Sequence, residues 1–148
     1  DVMAMLAPEG PVYQAGTLSG NPVAVAAGRA ALAQLAEDPP YERLEATAEV
    51  LCDGLARAAA DAGVPLRINR EGSLFSAFAT AEPVVDYASA SRQRAGAYAA
   101  FFHAMLARGV WLAPSAFEAW FLSDAHKRDD IDRTLEAAAE AFREIPAP

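Results

Sequence analysis

The chain has 148 residues, 53% of them hydrophobic and 22% charged, which is the balance of a globular protein with its own core. Its formal net charge of −8 argues against nucleic acid and anionic membranes as partners. A single cysteine excludes an intrachain disulfide and fits a reducing, cytoplasmic compartment, and no apolar run approaches the length of a membrane span.

The first third of the chain predicts a loop followed by a helix. Prolines and a glycine interrupt residues 1–12, which are predicted as a helix end and a loop. An alanine-rich helix is predicted over 23–36, because alanine is the best helix former. Asn21 is a suitable N-cap, and Pro22 fits the first helical position, where no amide hydrogen is needed.

The rest of the chain predicts an α+β fold: a small, mainly antiparallel sheet with helices on one face. Apolar residues recur at steps of three and four over 41–62, and a period of two over 66–79 indicates a hairpin with a tight, glycine-bearing turn. Residues 80–94 are predicted to be mostly loop. The remaining predicted elements are helices at 95–108 and 129–144 and short strands at 110–112 and 119–122.

Residues 13–22 read YQAGTLSGNP and carry the most distinctive pattern in the chain. Gly16 and Gly20 let the backbone turn sharply or approach a ligand closely. A polar, glycine-bearing loop that enters a helix N-terminus is a plausible anion site. From local chemistry alone, an ordinary loop before a capped helix remains the alternative.

The same run resembles the segment after the cofactor lysine in the glutamate-1-semialdehyde 2,1-aminomutases, a branch of the class III, fold type I aminotransferases. Other class III aminotransferases tend to carry a histidine-containing version of this segment. The resemblance extends to near the end of the chain through three further segments, residues 101–106, 109–119 and 130–135.

The resemblance implies an enzyme that depends on pyridoxal 5'-phosphate and its pyridoxamine form. It implies an intramolecular aminotransferase, classed as an isomerase, that converts glutamate-1-semialdehyde to 5-aminolevulinate for porphyrin biosynthesis in a cytoplasmic homodimer. Residues 1–38 would then be the end of the large domain, with the cofactor-phosphate loop and a connecting helix. Residues 39–148 would be the C-terminal small domain.

Two pairs of site residues follow from the resemblance. Gly16 and Thr17 are expected to reach the phosphate of the partner subunit's cofactor. Glu118 is expected to face the active site and to help place the substrate's amino group, with Ser115 as a weaker donor nearby. The alternatives are a threonine that only stabilises a turn and a glutamate that only faces solvent.

The lysine content limits what this chain can do alone. Lys127 is its one lysine and lies far along the sequence from the Gly16-Thr17 pair. In the resembled family, the lysine that forms the Schiff base lies upstream of the segment where this chain starts. We therefore expect the C-terminal part of a larger enzyme, with no catalytic residue of its own and no activity in isolation. His103 and His126 lack a third ligand at metal-binding spacing, so no metal site is predicted.

Two residues depart from the family pattern. Trp120 occupies a position where glycine is common, which predicts either a narrowed pocket mouth or an aromatic residue packed between domains. Lys127 stands where serine or threonine commonly caps the last helix.

Two other functions remain open at this point. One is a class III ω-aminotransferase that acts on another amine, although the sequence of residues 14–22, QAGTLSGNP, argues against it. The other is a non-catalytic binding or assembly domain.

Overall fold

The computed structural model describes residues 1–145 and divides the chain into two compact units, Asp1–Pro39 and the part from Pro40 onward. The last three residues of the predicted small domain, 146–148, lie outside the described range. Within residues 1–145, no helix is both long enough and apolar enough to cross a membrane.

The first unit is a loop followed by a helix. A short 3-10 helix at Met3–Met5 leads into a loop in which Leu6 and Val12 form an isolated parallel bridge. Helix α1 follows at Pro22–Glu37, and the predicted cap is confirmed: the Asn21 side chain accepts hydrogen bonds from the amides of Val23 and Ala24. No residue of this unit is buried.

The second unit confirms the predicted α+β class. Its elements in chain order are helix α2 (Tyr41–Asp61), strands β1 (Arg67–Glu71) and β2 (Leu74–Phe78), helices α3 (Tyr87–Ala90) and α4 (Ala95–Ala107), strand β3 (Trp120–Phe121) and helix α5 (Arg128–Arg143). The three strands form an antiparallel sheet in the order β1-β2-β3.

The predicted hairpin turn lies between Glu71 and Leu74, which pair directly across β1 and β2. Its first central residue, Gly72, has a φ of 55°, a left-handed value that glycine adopts without strain. A positive φ at the first central position is typical of the tight hairpin turns whose twist matches that of the strands.

One face of the sheet and three helices share the main core. Phe75 of β2 lies opposite Trp120 of β3, with ring centroids 5.3 Å apart, and both side chains are buried. Phe101 of α4 stacks on Phe142 of α5 with centroids 4.3 Å apart. The first pair lies within the sheet layer and the second within the helix layer, and all four rings belong to one core cluster.

Helices α2 and α5 approach closely at Gly54. This glycine is buried on α2, and a Cβ atom added to it would overlap the side-chain methyl groups of Leu135 on α5. The absence of a side chain at position 54 therefore sets the spacing of the two helices that face each other most extensively.

Two sequence-based assignments need correction. Residues 110–112 do not form the predicted strand, because they do not pair with any of the three strands of the sheet. The segment 80–94 contains the short helix α3, which the Asp86 carboxylate caps by accepting the amide of Ser89 at 2.7 Å.

Lys127 precedes α5 but does not cap it with its side chain. Its amine donates to the carbonyl of Asp124 at 2.8 Å. The Lys127 backbone amide instead donates to the Asp130 carboxylate at 2.9 Å, so an acid inside the helix satisfies the amide that precedes it.

The Gly54 contact predicts a strong size dependence at this position. Gly54→Val should lower the free energy of unfolding by about 1–3 kcal/mol, because the added methyl groups push α5 off α2. Gly96→Ala is the matched control, since a Cβ at that helical glycine meets open space. Urea titrations of the three proteins measure the difference, and a Gly54→Val variant as stable as the Gly96→Ala control would contradict the packing.

Burial of Cys52 predicts an alkaline loss of stability. Burial raises the pKa of this thiol from 9.0 to about 11, despite the opposing effect of Arg70. Because the pKa of the thiol is higher in the folded than in the unfolded state, the buried thiol contributes fully to the free energy of unfolding below pH 9. This contribution is lost as the pH rises through about 11. The loss should be on the order of 2 kcal/mol. The free energies of unfolding of the parent chain and of Cys52→Ala, measured across this range, should converge as the pH rises. A difference that stays constant with pH would contradict the raised pKa of Cys52.

Candidate functional site

The Gly16-Thr17 loop, residues 13–22, lies in the first unit and is exposed. Two turn hydrogen bonds shape it: the Ser19 amide donates to the Gly16 carbonyl at 2.9 Å, and the Asn21 amide donates to the Leu18 carbonyl at 3.0 Å. A Cβ atom at Gly16 would overlap the Ser19 hydroxyl, so a larger residue here would require that hydroxyl to rotate away.

The polar groups of this loop divide into two sets. Asn21 is used locally as the α1 cap, as predicted. Within residues 1–145, the Thr17 hydroxyl and the Gly16 and Thr17 amides make no hydrogen bond. The loop therefore presents three unused donors one turn ahead of a helix N-terminus, which suits an oxyanion such as a phosphate group.

The Glu118 turn, residues 113–118, lies in the second unit and brings the other predicted pair together. The Glu118 carboxylate accepts the Ser115 amide at 3.0 Å through Oε1, and the Glu118 amide donates to the Ser115 carbonyl at 3.1 Å. The Ser115 hydroxyl accepts the Phe117 amide at 3.2 Å. Both side chains thus stabilise the turn that carries them, and Glu118 is exposed, with a hydrogen bond to Oε1 and none to Oε2 within residues 1–145.

Two residues that the sequence did not single out hold this turn to the domain. The amide nitrogen of Gln93 donates to the Ala116 carbonyl at 3.1 Å. The hydroxyl of Tyr98 on α4 donates to the Ala113 carbonyl at 2.6 Å. Tyr98 was predicted only as part of an apolar helix face, and a glutamine in a polar stretch gives no sequence signal of a buried partner.

The environment of Tyr98 links the core to Glu118. Burial raises the pKa of the Tyr98 hydroxyl, a hydrogen bond from Trp120 opposes this rise, and the negative charge of Glu118 adds to it. Trp120 is 9% exposed and packs on Phe75. The bulky ring at this position is therefore part of the unit's own core.

The remaining polar candidates have local roles. The ring nitrogen of His126 accepts the Ser123 amide at 3.0 Å, and His103 meets Phe102 edge to face. Lys127 is exposed beside Asp124. In the part of the chain that the structure describes, no three His, Cys, Asp or Glu side chains cluster as metal ligands.

Comparison with known proteins gives one family. The family model for class-III aminotransferases matches residues 1–138. The chain is 52% identical over 144 residues to glutamate-1-semialdehyde 2,1-aminomutase of Desulfosudis oleivorans, which covers 97% of this chain and 34% of that protein. It is 57% identical over 143 residues to the protein of the same name from Propionibacterium freudenreichii, covering 95% of this chain and 32% of that protein.

The fold has a close counterpart among solved structures. A transaminase with PLP bound superposes with a TM-score of 0.76 at 23% identity, over 97% of this chain and 32% of that one. At this identity the likeness concerns the fold alone. The chain spans about a third of the length of the curated relatives it matches.

Proposed function

The chain belongs to the class-III aminotransferase family, and we propose that it supplies the small domain and one wall of the active site of a glutamate-1-semialdehyde 2,1-aminomutase. The observation that carries this proposal is its 52–57% identity, along nearly its whole length, to proteins of that name. The proposed reaction moves an amino group between neighbouring carbons of glutamate-1-semialdehyde and yields 5-aminolevulinate, a precursor of porphyrins.

The proposed cofactor is pyridoxal 5'-phosphate, with the pyridoxamine form as its amine-carrying state. When bound, it supplies the electron sink for the amino transfer. Gly16 and Thr17 would hold its phosphate, because their unused donors add hydrogen bonds without adding bulk. By the family resemblance this phosphate belongs to the partner subunit's cofactor, so the proposed enzyme is a homodimer, and we place it in the cytoplasm.

Glu118 would orient the substrate. Its Oε1 atom is engaged by the Ser115 amide, which fixes the carboxylate plane, while Oε2 remains available to accept a hydrogen bond from the substrate's amino group. Ser115 would act mainly by holding this carboxylate, since its hydroxyl already accepts the Phe117 amide.

Proton transfer in the proposed reaction requires a lysine that this chain does not contain. The amine of Lys127 donates to the Asp124 carbonyl on the surface of the second unit, in a turn that also binds the guanidinium of Arg43 through the Asp124 carboxylate. Lys127 is therefore a structural residue, and the isolated chain is expected to be inactive.

The second candidate function is a class III ω-aminotransferase, favoured by the match of residues 1–138 to the class-III aminotransferase model. The two functions differ in their need for a second substrate. The complete protein should convert glutamate-1-semialdehyde to 5-aminolevulinate without an external keto acid, because both amino transfers occur on one molecule. Product formation that depends on an added keto acid would favour the aminotransferase, and no product under either condition would refute the aminomutase.

Thr17→Val in the complete protein should weaken cofactor binding by about 1.5–3 kcal/mol, the cost of one hydrogen bond to a charged group. Valine matches the shape of threonine, so the loop should remain folded. Thr17→Ser is the control that keeps the hydroxyl and should retain most of the affinity. Cofactor titration by absorbance measures the difference, and equal affinities of the Val variant and the parent would remove Thr17 from the phosphate site.

Glu118→Gln should reduce turnover while the fold is retained. The glutamine oxygen can still accept the Ser115 amide at the present 3.0 Å, but the negative charge that attracts the substrate's ammonium is lost. A charge-assisted hydrogen bond contributes about 1.5–3 kcal/mol, so kcat/KM should fall by roughly 10- to 150-fold. Glu136→Gln, an exposed change on α5, is the matched control. Full activity of Glu118→Gln would show that Glu118 only stabilises its turn.

A further inference from the structure

Gln93 is one of two buried polar side chains in residues 1–145, and it is 7% exposed. The other is Ser89, whose hydroxyl and amide are used by Asp86 within the cap of α3. Gln93, in contrast, reaches outside its own segment. Burying an amide side chain is unfavourable unless its donor and acceptor are both used, so the contacts of Gln93 are structurally significant.

The two ends of the Gln93 amide connect two parts of the second unit. Its oxygen accepts the Ala79 amide at 3.4 Å, directly after β2. Its nitrogen donates to the Ala116 carbonyl at 3.1 Å, in the Glu118 turn. The Arg94 amide donates to the Ala79 carbonyl at 3.0 Å, which fixes the backbone next to Gln93 against the same end of the sheet.

The Glu118 turn has few other attachments to the domain. Three of its hydrogen bonds are internal and involve only Ser115, Phe117 and Glu118. The bond from the Ser76 hydroxyl to the Glu118 carbonyl is 3.4 Å, the same length as the Gln93 bond to the Ala79 amide. The Gln93 and Tyr98 bonds to the turn, at 3.1 and 2.6 Å, are the shortest hydrogen bonds that it makes to the rest of the unit.

We propose that Gln93 is a positioning residue that fixes the Glu118 turn against the end of β2 and so sets the direction of the Glu118 carboxylate. Tyr98 has the same role at the start of the turn, through the Ala113 carbonyl. Because Oε1 of Glu118 is bound to the Ser115 amide, the carboxylate moves with its turn. The catalytic part of this proposal rests on the proposed function; the structural part does not.

The structural part is tested by amide exchange of the 148-residue chain, followed by NMR. Gln93→Met keeps the length of the side chain and removes both hydrogen bonds. The Ser115 and Glu118 amides should then exchange about tenfold faster, while amides of α2 keep their rates. Tyr98→Phe, which removes one hydroxyl from an otherwise unchanged core, should accelerate the same amides. Arg92→Gln, at the exposed neighbouring position, is the control and should leave the exchange rates of the Ser115 and Glu118 amides unchanged.

The catalytic part is tested by kinetics of the complete enzyme. Gln93→Met should lower kcat/KM about tenfold in the parent background and cause no further loss in the Glu118→Gln background, because Gln93 acts through Glu118. Unchanged exchange of the turn amides in Gln93→Met would overturn the positioning role of Gln93, and unchanged exchange in Tyr98→Phe would overturn that of Tyr98. Equal losses in the two backgrounds would show that Gln93 does not act through Glu118. A parent enzyme without aminomutase activity would refute the proposed function, and the exchange rates would still decide the role of Gln93 in the turn.

Discussion

The close contact of α2 and α5 at Gly54 is the constraint on which the second unit depends. With no side chain at this position, Leu135 of α5 fills the space against α2, and the two helices form one surface. Helix α4 then packs on α5 through the stacked rings of Phe101 and Phe142. A wider spacing would separate the residues that cover the sheet, so the spacing of two helices determines whether the core is continuous.

The candidate site is connected to that core by polar bonds that start from buried side chains. Trp120 of β3 packs on Phe75 of β2 and forms a hydrogen bond with the Tyr98 hydroxyl. That hydroxyl in turn donates to the Ala113 carbonyl, in the segment leading to Glu118. Gln93 forms a parallel connection from the end of β2 to the same turn. An exposed carboxylate is thus held by a well-packed interior, which is how a loop residue gains a defined direction.

The sequence predicts most of the fold because its strongest signals are local. Periods of three to four residues locate α2 and α5, and Gly72 between two alternating runs locates the hairpin. Residues 110–112 have the composition of a strand, but a strand forms only where its backbone pairs with a neighbour, which is a tertiary property. The pairing of Glu118 with Ser115 was within reach of local reasoning, whereas the roles of Gln93 and Trp120 depend on partners 14 or more residues away.

Residues 16–17 and 115–118 lie in different compact units, and in the proposed enzyme each contributes its own part of the chemistry: donors for a phosphate and a carboxylate for an amine. A crystal structure of the complete protein with its cofactor bound tests this division most directly. We expect the Thr17 hydroxyl of each subunit to donate to the phosphate of the other subunit's cofactor and the Glu118 carboxylate to line the substrate pocket. A phosphate held only by other residues, with Thr17 facing bulk solvent, would contradict it.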